Sequence, residues 1–336
     1  MTEDATGERP HDDESAGRPY IVVAGPTASG KSALAMAIAE SFNGQVINAD
    51  SMQVYRELSI LTARPTPADE ARVPHALYGV LSVAEPCSVA RWLALAREAA
   101  AAARAAGRLP VFVGGTGLYL RALMVGLSPI PDIPGTVRAA GRALMSDLGA
   151  PAFHARLAGR DPVMAARLHR SDSQRLVRAW EVLEVTGRSL AVWQDEPPGP
   201  DAGPVPGRPL ILVRLPPRET LYRACDARFA AMVAAGALDE VRALAALDLP
   251  PDLPAMKALG VPELLRHVTG GLGLDEAVSL AQAATRHYAK RQCTWFRHQM
   301  PTATVLTGQY SAGQYSESLG IETYPVIRQF LLTDRT

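Results

Sequence analysis

The chain is poor in lysine and in cysteine. Lys31, Lys257 and Lys290 are the three lysines among 34 cationic residues, and the rest are arginine. With so much alanine alongside, that balance reads as a coding bias before it reads as function. Acidic residues also number 34, which excludes an evenly positive surface but leaves room for a local basic site. Cys87, Cys225 and Cys293 are far apart and form no Cys-x-x-Cys pair. No structural zinc site or disulfide framework is expected, and a reducing compartment, the cytoplasm, suits the chain. No run of about 18 uninterrupted apolar residues occurs, so no membrane-spanning helix is expected. The first 18 residues carry Glu3, Asp4, Asp12, Asp13 and Glu14. Secretory and organellar leaders avoid such acids, and residues 1–18 are expected to be a disordered tail.

What is present describes a globular protein. The 336 residues are 48% apolar and 20% charged, enough for one large domain or two ordinary ones. Tyr20-Ile-Val-Val-Ala24 is a short β-branched run that suits a buried strand. A glycine-rich turn and a helical stretch from Lys31 to about Ser41 follow. Val46-Ile-Asn-Ala-Asp50 reads as a second strand ending in a carboxylate. Ser88 to Ala106 reads as a helix with Ser88 as its N-cap and Gly107 as its stop. Pro110-Val-Phe-Val113 and Leu210-Ile-Leu-Val-Arg-Leu215 read as further strands. Strands alternating with helices predict an α/β fold with a parallel sheet covered on both faces.

Prolines at 129, 131 and 134 and a Pro/Gly-rich stretch from Pro197 to Pro209 enclose a segment without a good strand. This predicts a helical insertion over residues 128–205 within a core made of residues 19–127 and 206–310. The core's later part is read as helical, with residues 311–336 as a C-terminal extension.

Gly25-Pro26-Thr27-Ala28-Ser29-Gly30-Lys31-Ser32 fits the phosphate-loop pattern G-x-x-x-x-G-K-S/T, with a strand before it and a helix after it. Its glycines let successive N–H groups turn inward toward phosphate oxygens. Lys31 neutralises a terminal phosphate, and the Ser32 hydroxyl suits Mg²⁺. The motif speaks for a polyphosphate without naming what is attached to it. Asp50, at a strand's C-terminal end, suits either a metal-holding or proton-accepting carboxylate or a helix N-cap. The third strand ends in Gly114-Gly115-Thr116-Gly117, where an ordinary ATPase would carry an acid. Glycines allow a ligand to approach closely there, and Thr116 has a hydroxyl to donate; a plain tight turn is the alternative.

Two basic stretches lie on helices. Gln174 and Arg178 share a face, with Leu176, Trp180 and Leu183 on the buried side. Arg286, Lys290 and Arg297 form a stripe, with Arg291 and His298 beside it and Tyr288 and Trp295 as the expected core side. Such faces suit nucleic-acid contacts, or else are solvated surface. His75 is read as structural.

Taken in order, these blocks resemble the bacterial tRNA dimethylallyltransferases, also called tRNA isopentenyltransferases. The resemblance rests on the phosphate loop, Asn48-Ala-Asp-Ser-Met-Gln-Val-Tyr-Arg56, Val113-Gly-Gly-Thr-Gly-Leu-Tyr119, Asp172-Ser-Gln-Arg-Leu-Val-Arg178 with Thr186-Gly-Arg188, Met256-Lys-Ala-Leu-Gly260, and Thr285-Arg-His-Tyr-Ala-Lys-Arg-Gln-Cys-Thr-Trp-Phe-Arg297. It covers about residues 19 to 300. It departs from the family pattern at Leu61-Thr-Ala-Arg-Pro65, where Gly-Thr-Ala-Lys-Pro is usual, and at Pro74-His75-Ala76, where Pro-His-His is usual.

The resemblance implies a P-loop NTPase-like core and a helical insertion that grips the anticodon stem-loop of tRNA. It implies transfer of a dimethylallyl group from dimethylallyl diphosphate to N6 of the adenosine 3′ of the anticodon. The phosphate loop, Gly25 to Ser32, then holds the donor's diphosphate rather than ATP, with Mg²⁺ on Ser32. Asp50 acts as general base, and Thr116 helps to stabilise the leaving group. The implied tRNA contacts are Asp50, Ser51, Met52, Gln53, Thr116, Arg138, Gln174, Arg175, Leu176, Val177 and Arg178. Lys257, Arg286, Lys290 and Arg291 join them as basic positions. A monomer without membrane attachment is expected. Two other readings remain at this level, an ATP-dependent small-molecule or nucleoside kinase and a tRNA-binding module without catalysis.

Overall fold

A computed structural model describes residues 17–199, 202–308 and 323–333. The expected tail at 1–18 therefore falls, up to residue 16, outside the described residues. So do residues 311–322 and 334–336 of the expected C-terminal extension.

The chain forms two compact units, residues 1–124 with 205–336, and residues 125–204. The first unit is built on six parallel strands. They are β1 (Pro19–Ala24), β2 (Gly44–Asn48), β3 (His75–Ala76), β4 (Leu109–Gly114), β5 (Arg208–Arg214) and β6 (Thr304–Leu306), in the order β3-β2-β4-β1-β5-β6. β1 and β4 are buried on both faces along nearly their whole length. Their unbroken Val/Ile/Phe runs reflect helices packed on each side. α1 (Lys31–Ser41) lays Leu34, Ala35, Ile38 and Ala39 into a core shared with Ile21, Val23, Val46, Val111 and Leu212.

α2 (Pro67–Arg72) and α3 (Val89–Ala105) complete the links between β2 and β4. The Ser88 hydroxyl accepts from the Arg91 N–H at 3.1 Å and caps α3; Gly107, at φ +66°, follows its end. Trp92 on α3 is fully buried. Its indole N–H donates to the Asn48 carbonyl at 3.0 Å, and its ring stacks on Tyr119 of α4 (Gly117–Val125) at 4.3 Å. A helix is thereby pinned to the end of β2.

Register carries the functional consequence. Val113 pairs with Asn48 on one side and Val23 on the other, while Ala24 pairs with Gly114 and Val213. The C-terminal ends of β2, β4, β1 and β5 therefore finish side by side. Ligands gather at that edge of an open parallel sheet.

The second unit is helical, with no strand among its described residues. It holds α5 (Gly135–Ala158), α6 (Pro162–Arg167), α7 (Ser173–Thr186) and α8 (Leu190–Asp195). α5 breaks at Gly149, where φ is +72° and Pro151 follows. Asp172 caps α7 by accepting from the Arg175 N–H at 3.3 Å, and Gly187 ends it in the left-handed region. Phe153, Leu157, Leu176, Ala179 and Val182 form its core.

The C-terminal part of the first unit comprises α9 (Arg218–Ala234), α10 (Ala237–Ala245), a 3-10 turn at Pro254–Lys257, α11 (Val261–Val268), α12 (Leu274–Gln299) and α13 (Tyr324–Leu332). α13 packs against the core of this unit. Ile327 is buried in the core cluster, and the Tyr324 hydroxyl accepts from Ser41 at 2.8 Å and donates to the Ala37 carbonyl at 3.2 Å.

The expected core side of α12 is corrected. Its buried stripe is Ala277, Ala281, Thr285, Ala289, Gln292 and Phe296; Tyr288 and Trp295 are half-buried. α12 packs against α9 and α11 and reaches the loops after β1 and β4 through Gln292; Phe296 is the one ring on its buried stripe, and Tyr288 and Trp295 flank it. Trp295 lies over Gly117, where an added Cβ would sit 2.5 Å from the indole.

Candidate active site

The phosphate loop links β1 to α1. Gly30, at φ +83°, opens the helix, and Ala28 is left-handed at φ +60°, a conformation costing a non-glycine residue about 1–2 kcal/mol. Gly25 is required by space: an added Cβ would sit 2.7 Å from the Arg214 carbonyl oxygen and 2.8 Å from Ser29 Oγ. α1 has no side-chain cap and no acid in its first turn, which leaves its positive end for an anion. Lys31 curls back over the loop, its Nζ donating to the Pro26 carbonyl at 3.3 Å. Burial pulls its ammonium down to about 8, with the Asp50 charge opposing and the Arg228 charge assisting.

Asp50 lies two residues past β2, and Asn48 builds its turn. The buried Asn48 amide donates to the carbonyls of Asp50 (2.9 Å) and Leu77 (3.0 Å), and its oxygen accepts from the Asp50 N–H at 2.8 Å. Asp50 Oδ1 accepts from the Met52 N–H at 2.9 Å. No helix begins here, so the carboxylate closes an Asx turn instead of capping a helix. From β4, Thr116 Oγ1 accepts from the Ser51 N–H at 3.0 Å and lies 3.3 Å from Ser51 Oγ as its donor. The glycines before it are sterically enforced: a Cβ at Gly114 would sit 2.1 Å from the Ala49 carbonyl oxygen. No acid can stand there without moving β2's exit.

Helices α9 and α12 supply the facing wall. Arg228 on α9 donates to the Thr27 hydroxyl of the phosphate loop, and burial pulls its guanidinium below its usual value. Tyr288 on α12 has its phenol pushed up by burial and by the Asp50 charge, so it stays a neutral donor. Arg291 places its guanidinium 5.6 Å from the Tyr288 ring centre. Gln292 reaches both the loop and the glycine turn, accepting from the Thr27 N–H and donating to the Gly115 carbonyl, each at 2.8 Å.

These elements enclose a cavity of about 330 Å³. Thr27, Asp50, Arg228, Lys257, Tyr288 and Arg291 give it a polar side; Met52, Leu61, Phe229, Met232 and Leu259 give it an apolar one. The Leu61 segment departs from the family pattern, yet it is firmly held. Glu240 on α10 accepts from the backbone N–H groups of Ser59 (2.6 Å), Ile60 (2.8 Å) and Leu61 (2.9 Å). Arg64 donates to the Arg56 carbonyl at 3.0 Å.

Of the residues singled out in the sequence, Thr27, Asp50, Ser51, Met52, Lys257 and Arg291 line this one cavity, and Thr116 is bonded to its edge. Others lie elsewhere. Gln53 donates to the carbonyls of Thr62 and Ala63. It lines a separate small cavity with Ser32. Arg286 is paired with Asp226 at 2.5 Å, and Lys290 is exposed. In the helical unit, Arg138, Gln174 and Arg175 are exposed, and Arg178 lies 3.6 Å from Glu181. Leu176 is fully buried in that unit's core, so its side chain is not an RNA contact. Nothing in the sequence marks Arg228 and Tyr288 as cavity residues, or Gln292 as the bridge between the two loops. Arg228 carries no local motif, and the other two sit inside a recognised block whose buried face had been assigned differently.

Among the described residues, no cluster of three or more His, Cys, Asp or Glu forms a metal cage. The exposed Ser32 hydroxyl, at the start of α1, is an oxygen that the loop can offer to a divalent cation.

Comparison with known proteins agrees with this geometry. A family model described as IPP transferase matches residues 53–299, and one described as isopentenyl transferase matches residues 19–74. The chain is 58% identical over 315 residues to a tRNA dimethylallyltransferase of Rhodospirillum rubrum, covering 94% of this chain and 96% of that protein. It is 60% identical over 287 residues to one of Rhodospirillum centenum, covering 85% and 90%. Among solved structures, a tRNA isopentenylpyrophosphate transferase from Bacillus halodurans is similar with a TM-score of 0.66 at 30% identity, covering 94% of this chain and 97% of that one. A eukaryotic dimethylallyltransferase acting on tRNA shares the fold with a TM-score of 0.78 at 24% identity, covering 94% and 80%. A parallel sheet with a phosphate loop, a glycine turn closed to any acid, and a match over most of the chain agree: the chain belongs to the IPP transferase family, together with the bacterial tRNA dimethylallyltransferases.

Proposed function

We propose that this protein transfers the dimethylallyl group of dimethylallyl diphosphate to N6 of the adenosine just 3′ of a tRNA anticodon. The observation that carries the proposal is the meeting of strand ends. Thr27 of the phosphate loop and Asp50 after β2 line one cavity that also has an apolar wall. That arrangement suits a diphosphate, a short hydrocarbon and a base together.

The chemistry follows from the residues. Adenine N6 is a poor nucleophile and must lose a proton as it bonds to the allylic carbon; Asp50 accepts that proton. The carbon–oxygen bond of the donor breaks, and its electron pair leaves with diphosphate. Lys31, Arg228 and the N-terminus of α1 hold the growing negative charge. The Thr116 hydroxyl, fixed by Ser51, adds a donor. An aligned donor of this kind is typically worth about 3–4 kcal/mol. Mg²⁺ on Ser32, when bound, adds neutralising charge to the leaving diphosphate.

The acceptor base must leave its stack, at a cost of about a few kcal/mol. Phosphodiester contacts offset that cost, from Arg138, Gln174, Arg175 and Arg178 on the helical unit and from Lys257, Lys290 and Arg291 on the other. The kinase reading is disfavoured by Gly114, where the backbone of Ala49 leaves no room for an acid.

The test is mass spectrometry of an unmodified tRNA bearing adenosine just 3′ of its anticodon. It is incubated with protein, Mg²⁺ and dimethylallyl diphosphate, or with ATP instead. Gain of one dimethylallyl group at that adenosine in the first tube alone supports the proposal. Phosphoryl transfer from ATP with no prenylation replaces it with the kinase reading.

A further inference from the structure

Gln292 is a buried amide on the face of α12 otherwise made of alanine, threonine and phenylalanine. Both ends of the amide are used. Its oxygen accepts from the Thr27 N–H, and its nitrogen donates to the Gly115 carbonyl, each at 2.8 Å. Thr27 belongs to the phosphate loop after β1. Gly115 precedes Thr116 after β4. Sheet pairing between β1 and β4 ends at Ala24 and Gly114, so past that point the two exits have no ladder to hold them in step. One side chain replaces it.

Room for this bridge has been left on the facing backbone. A Cβ at Gly115 would sit 2.3 Å from Gln292 Nε2 and 2.9 Å from the Gly25 carbonyl oxygen. An amide is also the fitting chemistry. The bridge needs an acceptor at one end and a donor at the other, both short of solvent. Glutamate would set its charge against the Gly115 carbonyl; methionine would fill the space and bond neither end.

We propose that Gln292 is a positioning residue that sets the distance between the anion-holding loop and the Asp50–Thr116 pair. This rests on the proposed function, in which the leaving diphosphate lies on the first and the proton acceptor on the second. The two must be held in a fixed relation for bond breaking and proton loss to coincide. A misplacement of about 1 Å is enough to cost about 100-fold in rate.

The experiment compares wild type with Gln292→Met, Gln292→Glu and Gly115→Ala. The last leaves the amide in place but pushes it off its partners. Melting temperature, inorganic diphosphate affinity, tRNA affinity and the single-turnover rate at saturating tRNA and donor are measured for each. A drop of about 100-fold in single-turnover rate, with both affinities changed less than about fivefold, supports positioning. Any folded variant with a wild-type rate overturns it. So does a rate loss matched by equal losses in both affinities, because that is general disruption. If Gln292→Met does not fold, Gln292→Glu and Gly115→Ala carry the decision, and failure of all three to fold assigns Gln292 to the core and overturns the proposal. Wild type inactive with dimethylallyl diphosphate would instead sink the functional reading. Wild type active with unaffected variants would sink only the role of Gln292.

Discussion

The Thr116 hydroxyl oxygen accepts from the backbone N–H of Ser51 at 3.0 Å, joining the turn after β4 to the turn after β2. With that lone pair taken, the Thr116 proton is directed elsewhere, to Ser51 Oγ at 3.3 Å, to the Tyr288 phenol oxygen or to an oxygen of a bound anion. Thr116→Val keeps the shape and removes both bonds. It is expected to lower prenyl transfer by about 100-fold. Thr116→Ser should restore most of the rate. Steady-state kinetics of the two variants check this, and a Val variant as fast as wild type would remove Thr116 from leaving-group stabilisation.

Asp50 has a structural bond and a proposed chemical role, and the two can be separated. Asp50→Asn keeps an oxygen for the Met52 N–H, so the Asx turn persists, but it has no proton affinity to offer N6. Turnover should fall at least about 100-fold while tRNA affinity stays close to wild type. Filter binding beside single-turnover assays makes the comparison. Loss of both together would mean that Asp50 matters only for the turn.

The Lys31 ammonium is held down to about 8 by burial. It binds an anion only when protonated. Diphosphate affinity should therefore be full below about pH 8 and decline as pH rises through that value. Diphosphate itself also titrates, so the control is Lys31→Arg, which stays charged throughout. Calorimetric affinities between pH 6.5 and 9.5 (about a unit and a half either side of the step) should show an extra inflection near 8 in wild type alone. Parallel curves for the two proteins would refute the assignment.

In the helical unit, Arg178 is half-buried and paired with Glu181, while Leu176, two residues before it and on another face of α7, is core. Arg178→Ala should weaken tRNA binding and flatten the log affinity against log salt plot by about one unit. An unchanged slope would take Arg178 off the phosphodiester backbone. Thermal melts are recorded beside the binding data, because Glu181 is buried and loses its ion-pair partner when Arg178 is removed, so some loss of stability is expected.

Some features were legible because their cause is local. A phosphate loop needs a strand, eight residues and a helix start, all contiguous in Gly25 to Ser32. Ser88 as the cap of α3 and Gly107 as its stop depend on near neighbours and appear as expected. β1 and β4 were visible as apolar runs because burial on both faces leaves no polar alternation; β5, buried only over its last three residues, showed through Leu210 to Val213. β3 and β6, with two and three residues, carry no period to read. They exist because neighbours already in the sheet offer them bonds.

Sequence by itself determined the fold class, the phosphate-loop motif, the carboxylate at a strand end and the family. Tertiary structure decided which side chains meet them. Thr27 and Gln292 are 265 residues apart, and nothing local to either predicts the other. Arg228 has no motif at all, and its part depends on which face α9 turns toward the loop. Tyr288 reads as core because large aromatics usually are, but α12 turns a face of alanine, threonine, Gln292 and Phe296 inward and leaves Tyr288 lining the cavity. Local patterns specify what a segment can be; contacts between distant segments, set by register and helix packing, specify what it touches.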